Sequence, residues 1–236
     1  MDSKKSIILF GFGSFGRHLY KNLVKSGHSV RVISGLDEHI DFGKNLGVDI
    51  QKIDIRRDTE IKSLNIDSSK DILYCAMSKT AENVFLVMSL RTLYPNSKIV
   101  SISNSFENTR KLKYVGVDNV IDLYEATARR VVNTLTKPAV TRAIDEIIYH
   151  QNDLKMAEIK LSKDSFVDGK KISEVPFKKF GIILVAIIDK ELGNELIFTD
   201  NRIDNKLDTG DILVVVGETK DIENFRKILK ADNLLI

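Results

Sequence analysis

The sequence predicts an α/β fold in which a doubly wound parallel sheet is followed by a helical crossover arm and a small α+β domain. Three helical patterns end at Gly27, Gly47 and Gly116, and each passes directly into a β-rich run. Glycine just past a helix end supplies a left-handed cap, and a repeated αβ unit is typical of parallel sheets with helical crossovers. Residues 124–150 have a helical pattern alone, and residues from 151 onwards form short strand-like runs between turns.

Length and composition limit the classes of protein to consider. The chain has 236 residues, of which 43% are hydrophobic, enough for one large domain or two modest ones. Lys and Arg number 36 against 33 Asp and Glu, so we expect no nucleic-acid partner. A single cysteine, Cys75, excludes a disulfide framework and a Cys-based zinc site and suits a reducing cytosol. The longest apolar run, 182–188, is too short to cross a bilayer, so we expect no direct membrane insertion.

The first predicted domain, residues 1–123, contains six strands separated by helices of about 10–16 residues. Most of these strands are continuous apolar runs, as expected for strands that are covered on both faces. The strongest helix spans 80–94, with apolar residues at helical spacing and Pro95 as its stop. The predicted strands cover 6–10, 30–34, 49–53, 71–77, 98–102 and 119–122.

The arm, residues 124–150, combines two amphipathic helical segments on either side of Pro138, a residue that opens a helix but breaks a continuing one. The arm has no strand of its own to cover, and its apolar side chains can pack either on its own sheet or on another subunit. The first apolar stripe comprises Val131, Val132 and Leu135, and the second comprises Val140, Ala143, Ile144, Ile147 and Ile148.

The second predicted domain, residues 151–236, is smaller and rich in strands. Turn signals such as Asp168-Gly169 and Thr209-Gly210-Asp211 separate its strand-like runs. This pattern is typical of a separate α+β domain. Its predicted strands cover 157–161, 183–188, 195–198 and 212–216, and its predicted helices cover 171–175 and 220–230.

A glycine-rich loop is the strongest functional signal. Gly11-Phe12-Gly13-Ser14-Phe15-Gly16 matches G-x-G-x-x-G between a predicted strand and a predicted helix, the context that this motif requires. The first glycine allows a tight turn, the second lets the backbone approach a pyrophosphate, and the third lets the helix pack closely on the strand. We therefore predict a Rossmann-like phosphate loop, with the helix N-terminus facing the phosphates. The alternative is a tight turn that binds nothing.

The ribose side of this site departs from the NAD fingerprint. An Asp or Glu at the end of the second strand binds the ribose hydroxyls in NAD sites, and here that position is Ser34. Asp37 follows three residues later, and no arginine that could accept a 2′-phosphate follows until Arg56. The ligand is therefore open between NAD(H), another adenine nucleotide and none. We expect Ser34 and Asp37 to line the ribose side, and the opposite wall to comprise Ala76, Met77 and Ser78.

The sequence contains no convincing catalytic constellation. Tyr94 and Lys98 have the Tyr-x-x-x-Lys spacing of short-chain dehydrogenases, but Pro95 prevents the shared helix that their side chains need. Cys75 lies in an apolar strand, as a buried inert thiol does. We interpret the four histidines, which lack metal-ligand spacing, as solvated side chains; they are His18, His28, His39 and His150. These features favour a binding fold over the alternative of an NAD(P)-dependent oxidoreductase or epimerase.

The order of these elements resembles the RCK (regulator of K⁺ conductance) family, which includes Ktr/Trk-type potassium-uptake subunits with TrkA-N-like and TrkA-C-like domains. The resemblance covers nearly the whole chain. Its most specific motif is Leu-x-x-Gly-Asp-x-Leu-x-Val-x-Gly at 207–217. Its other supports are 8–16, Thr80-Ala81-Glu82-Asn83, 110–121, 167–172 and 181–188.

The resemblance implies a cytoplasmic regulator that controls K⁺ flux through a membrane channel or transporter pore subunit. It would lie at the inner face of the cell membrane, through its partner or through a transmembrane segment outside this sequence. It implies homodimers that assemble into an octameric ring. It also implies that ligands bind in the cleft of the first domain and change the shape of this ring. A nucleotide sensor that acts on some other partner is the remaining alternative.

The calcium ligands of the family, in contrast, are mostly missing from this sequence. Some channel-linked relatives bind Ca²⁺ through an Asp after the third strand and two Glu after the fifth. Asp54 is the counterpart of the first, but 100–104 has no carboxylate. Asp54 alone supplies too few oxygen ligands, so no calcium site is predicted.

Overall fold

The computed structural model describes residues 5–149, 153–163, 165–193, 195–199 and 204–230. The chain divides into two compact units, Met1–Val132 and Asn133–Ile236. The boundary between the two units falls within the predicted arm, and the division at 123 and 150 remains a prediction. Among the residues described, no helix combines the length and the apolar character needed to cross a membrane.

The first unit is built on a six-stranded sheet in the order β3-β2-β1-β4-β5-β6. All five strand pairings are parallel. This is the doubly wound order, whose connections reverse direction between β1 and β4. The six predicted strands are confirmed, with boundaries that shift by at most two residues. They are β1 (Ser6–Phe10), β2 (Ser29–Ser34), β3 (Ile50–Lys52), β4 (Asp71–Cys75), β5 (Lys98–Ser103) and β6 (Asn119–Asp122).

Five helices cover the two faces of this sheet. The helix after β4 ends before Pro95, as predicted, but three of the five are shorter than the expected 10–16 residues. The shortest, which follows β3, has five residues. A hydrogen-bonded loop precedes this helix, and Asn65, at φ 49°, lies just after its end, so neither side leaves room for a longer helix. The helices are α1 (Ser14–Lys25), α2 (Asp37–Asn45), α3 (Asp58–Lys62), α4 (Thr80–Leu93) and α5 (Phe106–Tyr114).

The sheet is buried on both faces, which explains its uninterrupted apolar strands. Ile8 and Phe10 of β1 pack into one core with Leu86 of α4, while Ile7 and Leu9 pack into the other. Because side chains alternate along a strand, a strand that is covered twice needs apolar residues at every position.

The predicted arm forms two helices that meet at proline. They are α6 (Leu123–Thr136) and α7 (Pro138–Tyr149), so the predicted break is confirmed. Proline is favoured as the first residue of a helix because its missing N–H would have no partner there. Thr141 of α7 is buried and donates its hydroxyl to the carbonyl of Asn133 at 3.1 Å.

The second unit contains an antiparallel sheet in the order β7-β10-β8-β9. Phe225, fully buried, packs among the rings of Phe166, Phe177 and Phe180 to form its aromatic core. The predicted strands are confirmed, and the helix predicted at 171–175 is a 3₁₀ turn, Ile172–Glu174. A second 3₁₀ turn, Phe177–Phe180, was not predicted. The other elements are β7 (Leu154–Lys160), β8 (Ile182–Ile188), β9 (Leu196–Phe198), β10 (Ile212–Glu218) and α8 (Thr219–Lys230).

Candidate functional site

A cleft of about 1030 Å³ opens at the carboxyl ends of β1 to β4 in the first unit. Open parallel sheets bind ligands at this edge, beside the point where the connections reverse. Six of the residues predicted from the sequence line the cleft: Gly11, Phe12, Gly13, Ser34, Met77 and Ser78. The other predicted residues, Ser14, Phe15, Gly16, Asp37 and Ala76, lie beside it and not among its lining residues.

Packing alone requires two of the three loop glycines. Gly11 has φ +105°, and a Cβ there would lie 2.5 Å from the carbonyl oxygen of Ala76. A Cβ on Gly16 would overlap the carbonyl oxygen of Gly11. These contacts hold the loop against β4 and α1 against β1. They would be needed even in a protein that binds nothing.

Gly13 differs from these two because no backbone atom crowds it. It is the residue before α1, with φ −68°, and no side chain caps the helix at this end. A Cβ on Gly13 would meet only the hydroxyl of Ser78, at 3.0 Å across the cleft. Ser14 begins α1 and is exposed, so the first N–H groups of the helix lie beside this opening. This geometry leaves the backbone of Gly13 accessible to a phosphate group.

Ser34 is buried and already has partners. Its Oγ lies 2.9 Å from Nδ1 of His39 and accepts a hydrogen bond from the backbone N–H of Leu36 at 3.3 Å. His39 also packs edge-on against Phe12. The side chain of His39 is only 15% exposed, so our interpretation of this histidine as solvated was wrong. Its position on α2, five residues after Ser34, turns it back over the strand end. His150 lies outside the described residues.

Basic residues, which the sequence analysis did not assign to the site, line the same side of the cleft. Lys52 is the register partner of Ser34 on the neighbouring strand, and its Nζ contacts the Asp37 carboxylate at 2.5 Å. Arg56 and Arg57 follow in the loop after β3. Lys52 reaches the cleft because of the register between β2 and β3. The sequence alone does not give that register, so it offered no signal that could have assigned Lys52 to the site.

Asp54 is committed to an ion pair at the mouth of the cleft. Its two carboxylate oxygens accept from Nε and Nη2 of Arg56, each at 2.8 Å. Hydrogen bonds from the side chain and the backbone of Arg56 lower the pKa of the Asp54 carboxyl to about 2. Glu60 accepts from the backbone N–H of Asp54 at 2.6 Å, which ties the loop to α3. Within the described ranges, no group of three or more His, Cys, Asp or Glu side chains is placed to hold a metal ion.

A buried amide holds the opposite wall. Asn83 of α4 is 1% exposed, accepts from the N–H of Met77 at 2.9 Å and donates to its carbonyl at 3.1 Å. Ala76 lies behind this wall and is buried. Leu36, Ile55 and Phe85 add apolar surface to the cleft, of the kind that a nucleotide base packs against.

The residues considered for catalysis occupy structural positions. Cys75 is buried in β4, and this burial raises the pKa of its thiol. Tyr94 follows the end of α4 and Lys98 begins β5, so the two do not share a helix. The hydroxyl of Tyr94 donates to the carbonyl of Ile61 at 3.4 Å.

Comparisons with known proteins find relatives among potassium channels. The chain is 22% identical to Potassium channel protein 1 of Methanocaldococcus jannaschii over 229 residues, which is 95% of this chain and 66% of that protein. It is 23% identical to Probable potassium channel protein 2 of the same organism over 184 residues, 75% of this chain and 52% of that protein. The chain thus spans about half to two thirds of the length of these relatives.

Solved structures share the fold at low sequence identity. The human SLO3 gating ring matches 93% of this chain and 46% of its own chain, with a TM-score of 0.68 and 15% identity. The TrkA-N domain of the inner membrane protein ybaL from Escherichia coli matches 57% of this chain and 99% of its own, with a TM-score of 0.50 and 18% identity.

Two family models match in tandem. The TrkA-N domain model matches residues 7–123, and the TrkA-C domain model matches residues 156–230. Together they span most of the chain, in the order expected from the sequence. The chain therefore belongs to the RCK family of regulators of K⁺ conductance and carries a TrkA-N domain followed by a TrkA-C domain.

Proposed function

We propose that this chain is the ligand-sensing, non-catalytic regulatory part of a potassium channel or potassium-uptake system at the cytoplasmic face of a membrane. An adenine nucleotide or NAD(H) binds in the cleft of the first unit and changes how the subunits are arranged. The partner is a pore-forming subunit or a pore-forming segment of the same protein. The names of both archaeal relatives support the assignment to K⁺.

The observation that best supports nucleotide binding is that the backbone of Gly13 is open to the cleft. Packing accounts for Gly11 and Gly16, but it does not require glycine between them. A bare backbone before a helix N-terminus, opposite the hydroxyl of Ser78, suits a pyrophosphate. The phosphate loop then comprises residues 11–16, with Ser34 at the ribose end and Met77 at the opposite wall.

Binding is tested by thermal shift with NAD, NADH, ATP, ADP and AMP on the native protein and on Gly13→Asp. We expect at least one nucleotide to raise the melting temperature of the native protein. Gly13→Asp places a carboxylate where phosphate belongs and should abolish that shift. If none of the five stabilises the native protein, sensing of these five nucleotides is rejected.

We also propose that the cleft does not use Ca²⁺. Asp54 is the counterpart of the first calcium ligand of some relatives, but both of its carboxylate oxygens accept from Arg56. The other two carboxylates that line the cleft, Glu60 and Glu82, pair with Arg57 and Lys79. An ion that takes six to eight oxygen ligands therefore meets carboxylates that already have cationic partners. Calorimetry that records micromolar Ca²⁺ binding, lost in Asp54→Asn, would contradict this proposal.

Assembly is the second half of the proposed mechanism. The α7 stripe, defined as Val140, Ala143, Ile144, Ile147 and Ile148, includes three side chains that are about half exposed: Val140 at 55%, Ile144 at 45% and Ile148 at 53%. Soluble monomers rarely keep such a patch in water. We propose that the stripe meets its two-fold copy in a homodimer, and that four dimers form a ring of eight. The name of the SLO3 gating ring supports a ring.

Regulation itself is tested by patch recording of the pore together with this chain. The active nucleotide from the thermal-shift screen is added to the cytoplasmic side, with the native chain and with Gly13→Asp. We expect the nucleotide to change the open probability only with the native chain. An equal response with both chains would show that the cleft does not control the pore.

A further inference from the structure

The ribose end of the cleft lacks the carboxylate that binds the hydroxyl groups of an unmodified ribose. NAD sites place a carboxylate at the end of the second strand, where it accepts from the ribose hydroxyls. Here Ser34 occupies that position, only 2% exposed, with its hydroxyl held by His39 and by the N–H of Leu36. Asp37, the next carboxylate along the chain, is outside the lining of the cleft and contacts Lys52.

A cation lies beside that position instead. Lys52 pairs in register with Ser34 across β2 and β3, so both residues reach the same sheet edge. The Lys52 and Asp37 side chains are 51% and 77% exposed. An exposed ion pair of this kind adds little to stability, so a bound dianion can replace the Asp37 carboxylate as the partner of Lys52.

Two arginines extend this positive surface. Arg56 and Arg57 line the cleft in the loop that follows Lys52, and their side chains are 79% and 70% exposed. Arg56 pairs with Asp54 and Arg57 pairs with Glu60 of α3, and both guanidinium groups remain largely exposed at the cleft. A guanidinium offers a planar set of donors that matches the oxygens of a phosphate group.

We propose that the cleft selects an adenosine whose ribose carries a 2′-phosphate, the ligand class of NADP(H), with Lys52 as the residue that determines this specificity. The inference rests on the proposed nucleotide binding and adds the identity of the ligand class. Loss of the ribose acid together with a nearby cation is the arrangement that accommodates a 2′-phosphate. In ATP the triphosphate would lie at the glycine loop, at the other end of the nucleotide. It would therefore give no reason for the basic residues around Lys52.

Three small probes isolate the extra phosphate. Calorimetry on the full chain compares AMP, adenosine 2′,5′-bisphosphate and adenosine 3′,5′-bisphosphate. We expect the 2′,5′-bisphosphate to bind at least about tenfold more tightly than AMP, and more tightly than the 3′,5′-isomer. Lys52→Met should bring the affinities for AMP and the 2′,5′-bisphosphate to within about twofold of each other.

A second variant acts in the opposite direction, and a third is the control. Asp37→Asn removes the carboxylate that competes for Lys52 and should increase the preference for the 2′,5′-bisphosphate by a further factor of about three. Lys70→Met alters an exposed lysine that precedes β4, at the opposite edge of the sheet, and should leave the preference as in the native protein.

The outcomes separate this inference from the proposed function. Equal binding of AMP and the 2′,5′-bisphosphate, tighter binding of AMP or of the 3′-isomer, or a preference that survives in Lys52→Met would overturn the 2′-phosphate inference and leave nucleotide sensing intact. If no probe binds and no nucleotide shifts the melting temperature, both proposals are rejected.

Discussion

At the scale of single residues, the three loop glycines have different roles. Gly11 and Gly16 allow close backbone contacts that any such strand-loop-helix junction needs, whereas Gly13 leaves space at the cleft. A match to G-x-G-x-x-G therefore carries functional information mainly at its middle glycine. Substitutions to alanine should separate the two roles, since each adds only one methyl group.

Gly11→Ala should destabilise the protein, and Gly13→Ala should weaken binding alone. At Gly11 the positive φ costs about 1–2 kcal/mol for an L-residue, and overlap with the Ala76 carbonyl adds about 1–3 kcal/mol. At Gly13 the backbone is in a region open to alanine, and only the rotatable Ser78 hydroxyl must give way. Urea unfolding measures the first effect, and nucleotide thermal shift measures the second.

Gly27→Ala is the matched control for backbone strain. Gly27 has φ +84°, and a Cβ there would meet nothing within 4 Å, so alanine should cost only the strain of about 1–2 kcal/mol. If Gly11→Ala costs no more than Gly27→Ala, the close contact with Ala76 is unimportant. If Gly13→Ala binds nucleotide like the native protein, the backbone of Gly13 does not approach the phosphate.

At the scale of elements, a single arginine joins the end of α4 to the loops around it. Nη1 of Arg91 donates to the carbonyls of Pro95 and Ser97, at 2.7 and 2.9 Å. Nη2 donates to the carbonyl of Gly116 at 2.6 Å and to the Asp118 carboxylate at 2.9 Å. These acceptors belong to the connections that follow α4 and α5, so one side chain satisfies carbonyl groups of two loops.

Arg91→Ala should lower the free energy of unfolding by about 3 kcal/mol, because it removes charge-assisted hydrogen bonds to partly buried carbonyls. Arg91→Lys should recover only part of this loss, since an ammonium cannot reproduce the planar fork of donors. Urea denaturation measures both variants. Arg110→Ala, at an exposed position of α5, should stay within about 0.5 kcal/mol of the native protein. A similar small effect for Arg91→Ala would show that water replaces these bonds at no cost.

At the scale of the whole molecule, the exposed α7 stripe connects the fold to the proposed regulation. In the proposed mechanism, a ligand in one cleft acts on the pore by moving subunits relative to one another. The stripe offers an apolar surface for the proposed contact between subunits, and its exposed side chains Val140, Ile144 and Ile148 repeat every four residues along one helix face. Leu135 of α6 is also exposed, at 77%.

Ile144→Asp combined with Ile148→Asp should convert the assembled protein to monomers. Each aspartate would bury an unpaired charge in the contact, at a cost of about 3–5 kcal/mol. Light scattering at tens of micromolar measures the mass. Arg142→Asp, on the same helix but outside the stripe, controls for added negative charge and should assemble normally. A native protein that is already monomeric, or a double variant that assembles like the native protein, would make the stripe an intramolecular support only.

The sequence by itself determined the features that depend on neighbours along the chain. The six strands, the end of α4 before Pro95 and the break at Pro138 follow from apolar periodicity and from the backbone limits of proline. The position of the glycine loop could also be predicted, because its strand, turn and helix follow one another directly along the chain. The second 3₁₀ turn and the short α3 escaped prediction because brief helical turns carry too few residues to show a period.

Only the tertiary structure decided what surrounds the loop. Sheet register places Lys52 beside Ser34, 18 positions away in the sequence, and folding of α2 over the strand end leaves the His39 side chain only 15% exposed. The ribose side, for which the sequence predicted Ser34 and Asp37, is lined by Ser34 and Lys52. Such contacts depend on which strands become neighbours and on how loops close, and no local pattern of residues encodes either.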